Sequence, residues 1–394
     1  MLPLSGLRVI AVEQYGAGPY GSMQIADLGA EVIKIENPAD GGDMARRVGP
    51  YFVNPGDSHF FHSFNRNKKS VTLDLKKPAA RAVLMALAAR ADGLMDNLRG
   101  DLPEKLGLTY PTLAPANPRI VCSHLSAYGR SGSRAHWPGY DYLMQAEAGY
   151  LSLTGEPDGP PARMGLSIVD LMTGLFSAFA LVSGVIEARA TGTGRDLDVS
   201  LFDCALQNLS YLATWYLNEG HVQRRESRSA HPSLVPSQLY RTRNGFIFIM
   251  CNKEKFWPIL CERIGRSEWA QDPRFRTFKD RLDNRALVNE LLDKALSQRS
   301  TGEWLDHFAG QVPAAPVNDI RSALHNPFVH EAELIREYQR PGMLPLRMVA
   351  GPVVTADNPP CRAAPALGAD TEAVLSDCGF SPADLQALRA DKVI

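Results

Sequence analysis

Net charge is nearly absent from this sequence: 42 lysines and arginines against 43 aspartates and glutamates leave −1 over 394 residues. That balance argues against a nucleic-acid surface or a polybasic membrane patch, both of which need an excess of one sign. Only a local basic pocket for an anionic ligand stays open. Cysteine is sparse and unpatterned. The six, Cys122, Cys204, Cys251, Cys261, Cys361 and Cys378, form no C-x-x-C, and most sit in apolar runs such as Arg119–Cys122. They read as buried free thiols of a reducing compartment, not as disulfides or a metal cage. Met1–Ile10 lacks the basic start and apolar stretch of a secretory leader, and there is no G-x-S-x-G, internal repeat or low-complexity tract. A cytoplasmic location is expected. The long uncharged run Leu171–Ile186 carries Thr173, Ser177 and Ser183, sits between Asp170 and Glu187, and is short for a bilayer. A helix buried on all sides is expected there, not a membrane span.

What is present is α/β patterning, over a length that suits two or three domains. Leu7–Val12 reads as a strand, Gly16–Pro19 as a loop, and the following residues as a helix to Leu28 stopped by Gly29. Glu31–Ile35 is the next strand, which makes a βαβ unit and implies parallel pairing. The theme continues with strand Ser70–Leu75, helix Pro78–Arg90, and strands Gly93–Asp96 and Arg119–Ser123. A helix over Ile168–Ala190, a strand over Asp196–Ser200 and an apolar helix through Leu217 follow. Residues 219–233, with His221, Arg224, Arg225 and Arg228, read as a linker or mobile loop. Tyr240–Met250 predicts a hairpin around Asn244-Gly245. Helices then run from Lys253 to His325, Gln339–Val354 is extended, and Asp370–Cys378 and Pro382–Ala390 are helical.

Several patterns carry chemistry. Gly16-Ala-Gly-Pro-Tyr-Gly21 matches G-x-G-x-x-G between a strand and a helix, and Glu36 ends the next strand. Glu13-Gln-Tyr15 displaces the first glycine from the strand, however, and Pro19 removes an amide that a pyrophosphate would use. An NAD-dependent oxidoreductase is therefore only an alternative. Basic residues collect at element edges: Asn65-Arg-Asn-Lys-Lys69, Lys76, Lys77, then Asn97, Arg99 and Lys105. In a parallel sheet such loops converge at the carboxyl edge, where Lys and Arg suit phosphates; singly, each lysine suits a solvated rim. Asp170 enters a wholly apolar helix, so its carboxylate must be paired, hydrogen-bonded or protonated. Ser167-x-x-Asp170 resembles a capping box, the structural account. The functional account uses the same place, since a helix N-terminus stabilises an anion and nearby amides suit an acyl oxyanion. His59-Phe-Phe-His62 has no third ligand close in sequence and reads as aromatic packing, not as a metal site.

These residues recur together in one family. The chain resembles the class III coenzyme A transferases, the CaiB/BaiF group typified by formyl-CoA transferase. The resemblance runs nearly end to end. It is carried by Leu4–Ile10, Ala17-Gly-Pro19, Asp27–Glu36, Asn65–Ser70, Asp96-Asn-Leu-Arg99, Gly139-Tyr-Asp-Tyr142, Asp170-Leu-Met-Thr-Gly174, Thr193-Gly-Arg195 and His231–Pro236. It implies an α/β fold: a Rossmann-like large domain with a parallel sheet, built from residues 1–218 and 326–394, and a smaller α/β domain over 219–325. It also implies an interlocked homodimer that covers part of the apolar helices. Asp170 falls on the family nucleophile. The coenzyme contacts fall on Gly16, Ala17, Asn37, Leu73, Asp74, Leu75, Lys76, Asn97, Leu98, Arg99, Lys105 and Tyr140, with Lys76 and Lys105 on phosphates. The implied partners are an acyl-CoA, possessing the thioester as substrate and not as a resident cofactor, and a carboxylic acid. There are departures. The glycine-rich loop of the formyl-CoA enzymes is replaced by His231–Gln238, and an arginine near their adenine is Asn37. The chain looks closer to members that use succinyl-CoA and small acids, with His231 and Arg228, or Arg224 and Arg225, facing a distal carboxylate. A 2-methylacyl-CoA racemase of the same superfamily is the nearest rival. It needs two acid/base groups, and Tyr140 stands where racemases carry histidine.

Overall fold

Alternation along one short strand sets the architecture. In β1 (Arg8–Val12), Ile10 and Val12 join a core with Ile33, Ile35, Leu84 and Leu87, while Val9 and Ala11 join another with Val32, Ile25, Leu181 and Val185. A strand buried on both faces needs apolar residues at every position, as in sheets covered by helices on each side. In the computed structural model, which describes residues 1–340, 343–357 and 360–394, β1 is followed by α1 (Ala17–Asp27), β2 (Glu31–Glu36), β3 (Lys69–Thr72), α2 (Ala80–Ala88), β4 (Gly93–Asp96) and β5 (Val121–Ser126). Then come α3 (Asp141–Glu147), α4 (Ile168–Thr191), β6 (Arg195–Ser200) and α5 (Leu201–Asn208). The six strands form one sheet of order β3-β2-β1-β4-β5-β6. Every pairing in it is parallel. The order reverses between β1 and β4, so the loops after these strands diverge and leave a crevice at the carboxyl edge. The late chain returns to protect the β3 edge. Asp370 accepts from the Ser70 amide at 2.8 Å and Thr371 from the Thr72 amide at 2.9 Å.

The chain divides into two units, one of residues 1–148, 164–210 and 332–394, the other of 149–163 and 211–331. The boundaries differ from those expected. Residues 149–163 join the smaller unit, where the Arg225 guanidinium donates to the carbonyls of Gly159 and Pro160 at 2.7 and 2.8 Å. The apolar helix expected through Leu217 is broken after α5, at Ser210 with φ 50°. Within the smaller unit, Ser237–Arg241 and Phe246–Met250 form the expected antiparallel hairpin, joined by Ala314–Pro316. Trp257, Phe275, Trp304 and Phe308 fill its core. The stretch 219–233 is tied down by side chains and does not hang free, as Arg225 and the Arg228–Asp293 ion pair at 2.6 Å show. In the larger unit the late extended region is an antiparallel pair, Ile335–Arg340 with Met343–Val349. Pro341 and Gly342, within the stretch expected to be extended, lie outside the described residues.

Three further expectations change on folding. The Gly16–Pro19 segment is the start of α1 and not a loop, because a proline in the first turn lacks only an amide that has no acceptor there. The last glycine of the motif serves helix contact. A Cβ on Gly21 would lie 2.1 Å from the Gly174 carbonyl oxygen, and one on Gly174 would lie 2.2 Å from that of Ala17. Gly21 thus records the close crossing of α1 and α4, while Gly18 packs against Asn97 and Glu13, and the oxidoreductase alternative loses its motif. The Asn65–Lys69 run is not a phosphate site. Arg66 pairs with Asp27 at 2.6 Å, and Lys68 is buried on Glu13 at 2.7 Å. Helix α4 is not buried on all sides. Its Gly174–Ala178–Leu181–Val185 stripe packs inward, but Phe179 and Ile186 are 71% and 66% exposed. His62 pairs with Asp57 at 2.6 Å, and no cluster of metal-ligating side chains occurs among the described residues.

Candidate active site

Helix α4 begins without help from its own N-cap. Ser167 has ψ 62° and makes no side-chain capping bond; an extended backbone is what aims a capping hydroxyl at the first turn. The capping box read from Ser167-x-x-Asp170 is therefore not formed. The amide of Asp170 instead donates to Asp141 Oδ2 at 2.9 Å, across 29 residues. The Asp170 side chain is left to face outward. Its Oδ2 lies 3.0 Å from where a Cβ on Gly16 would stand, so a side chain there would press on the carboxylate at the head of α1. The amides of Ala17 and Gly18, in the first turn of α1, have no acceptor within their own helix, and Pro19 has no amide. Burial, followed by the charge of Asp141, pushes the Asp170 carboxyl up to about 7.

Asp170 opens into a cavity of about 230 Å³. Gln14, Tyr15, Gly16, Ala17, Leu98 and Tyr140 are among its walls, with Asn97 and Arg99. A second cavity of about 250 Å³ shares Gln14 and Leu98 with the first and is walled by Asn37, Leu73, Asp74, Leu75 and Lys76. A third shares Leu75, Lys76 and Leu106 with the second and adds Lys77, Arg81 and Lys105. The carboxyl edge of the sheet thus carries a run of cavities with a carboxylate at one end and lysines at the other.

The residues singled out from sequence do not all present free groups. Asn97 trades bonds with Gln14, its Oδ1 accepting at 2.8 Å and its Nδ2 donating to the carbonyl at 2.7 Å. It shapes the loop before Gly16. Asn37 caps the short turn after β2 by accepting from the Ala39 amide at 3.0 Å. Arg99 and Lys105 both lean on Asp101, at 3.1 and 2.7 Å, and both side chains are exposed. His231 and Arg228 belong to the smaller unit. His231 Nδ1 accepts from the Ser233 and Leu234 amides at 3.1 Å, and Arg228 is held by Asp293.

Some supports were not legible in the sequence. Tyr15 takes a left-handed φ of 69°, and its amide donates to Asp43 Oδ1 at 3.0 Å. Asp43 is itself paired with buried Lys34 at 2.8 Å. Burial alone would discharge Lys34, but Asp43 and then Glu13 outweigh it and raise its pKa. Lys68 lacks that surplus, and burial brings it down to about 8. Behind the Asn97–Arg99 loop, His124 bridges Asp96 at 2.6 Å and Asp196 at 2.9 Å. Burial works against its charge, but the bonds to Asp196 and Asp96 prevail and lift it to about 9, so it is an imidazolium. Asp141 carries a local signal of its own, a carboxylate at a helix start with Gln145 four residues on.

A parallel α/β sheet with a half-buried carboxylate and a lysine-ended groove at its carboxyl edge defines an acyl-group or coenzyme-handling enzyme. The chain belongs to CoA-transferase family III, which it matches over residues 4–371, and is an enzyme that transfers coenzyme A. Among its relatives is an acetyl-CoA:oxalate CoA-transferase of Acetobacter aceti, 37% identical over 82% of this chain and 83% of that one. A succinate–glutarate CoA-transferase of Agrobacterium fabrum is 32% identical over 95% of each. The crystal structure of a CAIB/BAIF family protein from Brucella suis superposes with a TM-score of 0.82 at 31% identity, covering 96% of this chain and 99% of that one.

Proposed function

We propose that Asp170 is the nucleophile of a ping-pong exchange that moves coenzyme A from an acyl-CoA, with succinyl-CoA the first candidate, to a small mono- or dicarboxylic acid. One observation carries this reading: the Asp170 carboxylate lines the cavity, and the capping box that would have used it at its own helix end is not formed. In the exchange, a carboxylate oxygen of Asp170 attacks the thioester carbonyl, forming a mixed anhydride and expelling CoA thiolate. The thiolate attacks the aspartyl carbonyl and releases the donor acid, leaving an aspartyl-CoA thioester. The acceptor carboxylate displaces the thiolate to give a second anhydride. Thiolate attack on its acyl carbonyl then yields the new acyl-CoA and restores Asp170. Each step exchanges one carboxylate or thiolate for another, so no proton is moved. Dividing one hard substitution into easier ones is the gain of covalent catalysis. The first-turn amides of α1 suit the oxyanion formed on each attack.

On this reading the sheet is Rossmann-like, and the coenzyme runs along the three cavities with its thioester at Asp170. Gly16, Ala17, Leu98 and Tyr140 line the pantetheine end. Asn37 and Leu73–Leu75 line the nucleotide end, and Lys76 and Lys105 meet phosphates. The acid class follows from the relatives named for succinate, glutarate and oxalate. A second copy of the chain covers the exposed face of α4. The racemase alternative is disfavoured because the cavity walls include, among the described residues, Asp170 and Tyr140 but no histidine, whereas racemisation needs acid/base groups on both faces.

The test is a donor-by-acceptor panel read by mass spectrometry of CoA esters, with hydroxylamine trapping of the enzyme after addition of acyl-CoA alone. A hydroxamate on the peptide holding Asp170, lost in Asp170→Asn, is expected. Exchange at the wild-type rate in Asp170→Asn would refute the assignment. Rapid α-deuterium exchange without an acceptor acid would favour the racemase.

A further inference from the structure

We propose that Asp141 is the positioning residue of the nucleophile: its carboxylate caps α4 from the first turn of α3 and so fixes the backbone from which Asp170 reaches the cavity. This rests on the assignment of Asp170 made above. The arrangement is unusual in its reach. A helix is normally capped by the residue that opens it, and Ser167 stands in that place but makes no side-chain capping bond. Asp141 Oδ2 accepts instead from the third amide of the helix, which belongs to Asp170 itself. The cap and the nucleophile are thus the two ends of one residue, its amide held and its side chain released.

Asp141 is in turn locked. Its Oδ1 accepts from Gln145 Nε2 at 2.5 Å. Gln145 Oε1 accepts from the Met164 amide at 2.9 Å, and Gln145 Nε2 also donates to the Leu166 carbonyl at 3.1 Å. Both side chains are buried, Asp141 at 4% exposure and Gln145 at 0%. One turn of α3 therefore holds both the segment that leads into α4 and the amide of the nucleophile. Tyr140, the residue before, faces the same cavity as Asp170. A buried carboxylate held on both oxygens is a costly device for capping alone, since a serine hydroxyl would serve. What it adds is rigidity where the attacking atom must be placed.

The experiment compares Asp141→Ala, Asp141→Asn and Gln145→Ala with the wild type, using the donor and acceptor selected by the panel above. Displacing a reacting group by about an ångström costs on the order of 100-fold in rate. Asp141→Ala is expected to lose about 10- to 100-fold in kcat while KM for the acyl-CoA stays within about twofold, because the cavity walls are unchanged. Asp141→Asn keeps an oxygen for the Asp170 amide and is expected to recover part of that kcat. Wild-type kcat in Asp141→Ala, a matching rise in KM, or no advantage of Asn over Ala would each overturn the proposal. Should Asp141→Ala fail to fold, Gln145→Ala decides. A several-fold fall in kcat at constant KM supports the proposal, and unchanged kcat overturns it. The two assignments separate cleanly. Activity in Asp170→Asn removes the nucleophile, whereas an inert Asp170→Asn beside a fully active Asp141→Ala removes only the positioning role.

Discussion

Replacing Asp170 by asparagine should make the protein more stable as it makes it inactive, and the gain should depend on pH. The carboxyl stands at about 7 when folded, against an ordinary 3.8. At about 1.36 kcal/mol per pH unit, the displacement amounts to ~4 kcal/mol as a ceiling. Two features reduce it. The heads of α1 and α4 each favour the anion by about 0.3–1 kcal/mol, and partial exposure of the side chain screens the rest. A net cost of ~2 kcal/mol for the ionised wild type remains. The sign follows from the direction of the displacement. The folded protein holds this proton more tightly than the unfolded chain, so the contribution is fully favourable below about pH 4 and is lost as pH rises through the raised folded value. Asparagine does not titrate. Chemical denaturation of both proteins from pH 4.5 to 8.5 should therefore show a gap that is small in acid and widens to about 2 kcal/mol above pH 7, equivalent to a few degrees in Tm. A gap that stays flat, or a variant less stable than wild type at pH 8, would show that the carboxylate is well solvated or satisfied by a partner, and the argument for a poised nucleophile would fail.

Other consequences can be checked beside it. The rate with limiting acyl-CoA should fall as pH drops below about 7, since the protonated Asp170 carboxyl is not a nucleophile; a profile flat down to pH 5 would contradict this. Lys76→Ala with Lys105→Ala should raise KM several-fold for a CoA thioester but not for the same acyl group on pantetheine, a contrast absent if these lysines only decorate the rim. Gly21→Ala should cost about 1–3 kcal/mol of stability, because its Cβ would stand 2.1 Å from the Gly174 carbonyl; a variant as stable as wild type would mean that α1 and α4 can part freely. Phe179→Asp should shift light-scattering mass from dimer toward monomer if a second copy covers α4, and a wild-type monomer would dismiss that cover.

How far the sequence could be read depended on how local each determinant was. The βαβ start, the Gly93–Asp96 strand and the long helix from Ile168 follow from alternation, apolar runs and glycine stops, all of which act over a few residues. The same local logic misled at three places. It matched Gly16-Ala-Gly-Pro-Tyr-Gly21 to a dinucleotide fingerprint, although the neighbour that demands a small residue at Gly21 is Gly174. It grouped Arg66 and Lys68 with Lys76, although their partners Asp27 and Glu13 lie 39 and 55 residues away. It offered Ser167-x-x-Asp170 as a capping box beside the functional account, because the partner that holds the Asp170 amide, Asp141, lies 29 residues away.

By itself the sequence determined the α/β class and the family resemblance, and it named candidates for the proposed nucleophile and coenzyme contacts. Which of those side chains are spent inside the fold and which remain for chemistry was decided only by tertiary structure. Asn97 is consumed by Gln14, Lys68 by Glu13, and Asp170 is spared by Asp141. Buried polar groups must find partners, and in this chain the decisive partners come from other strands and helices, brought near by the parallel sheet and not by proximity along the chain.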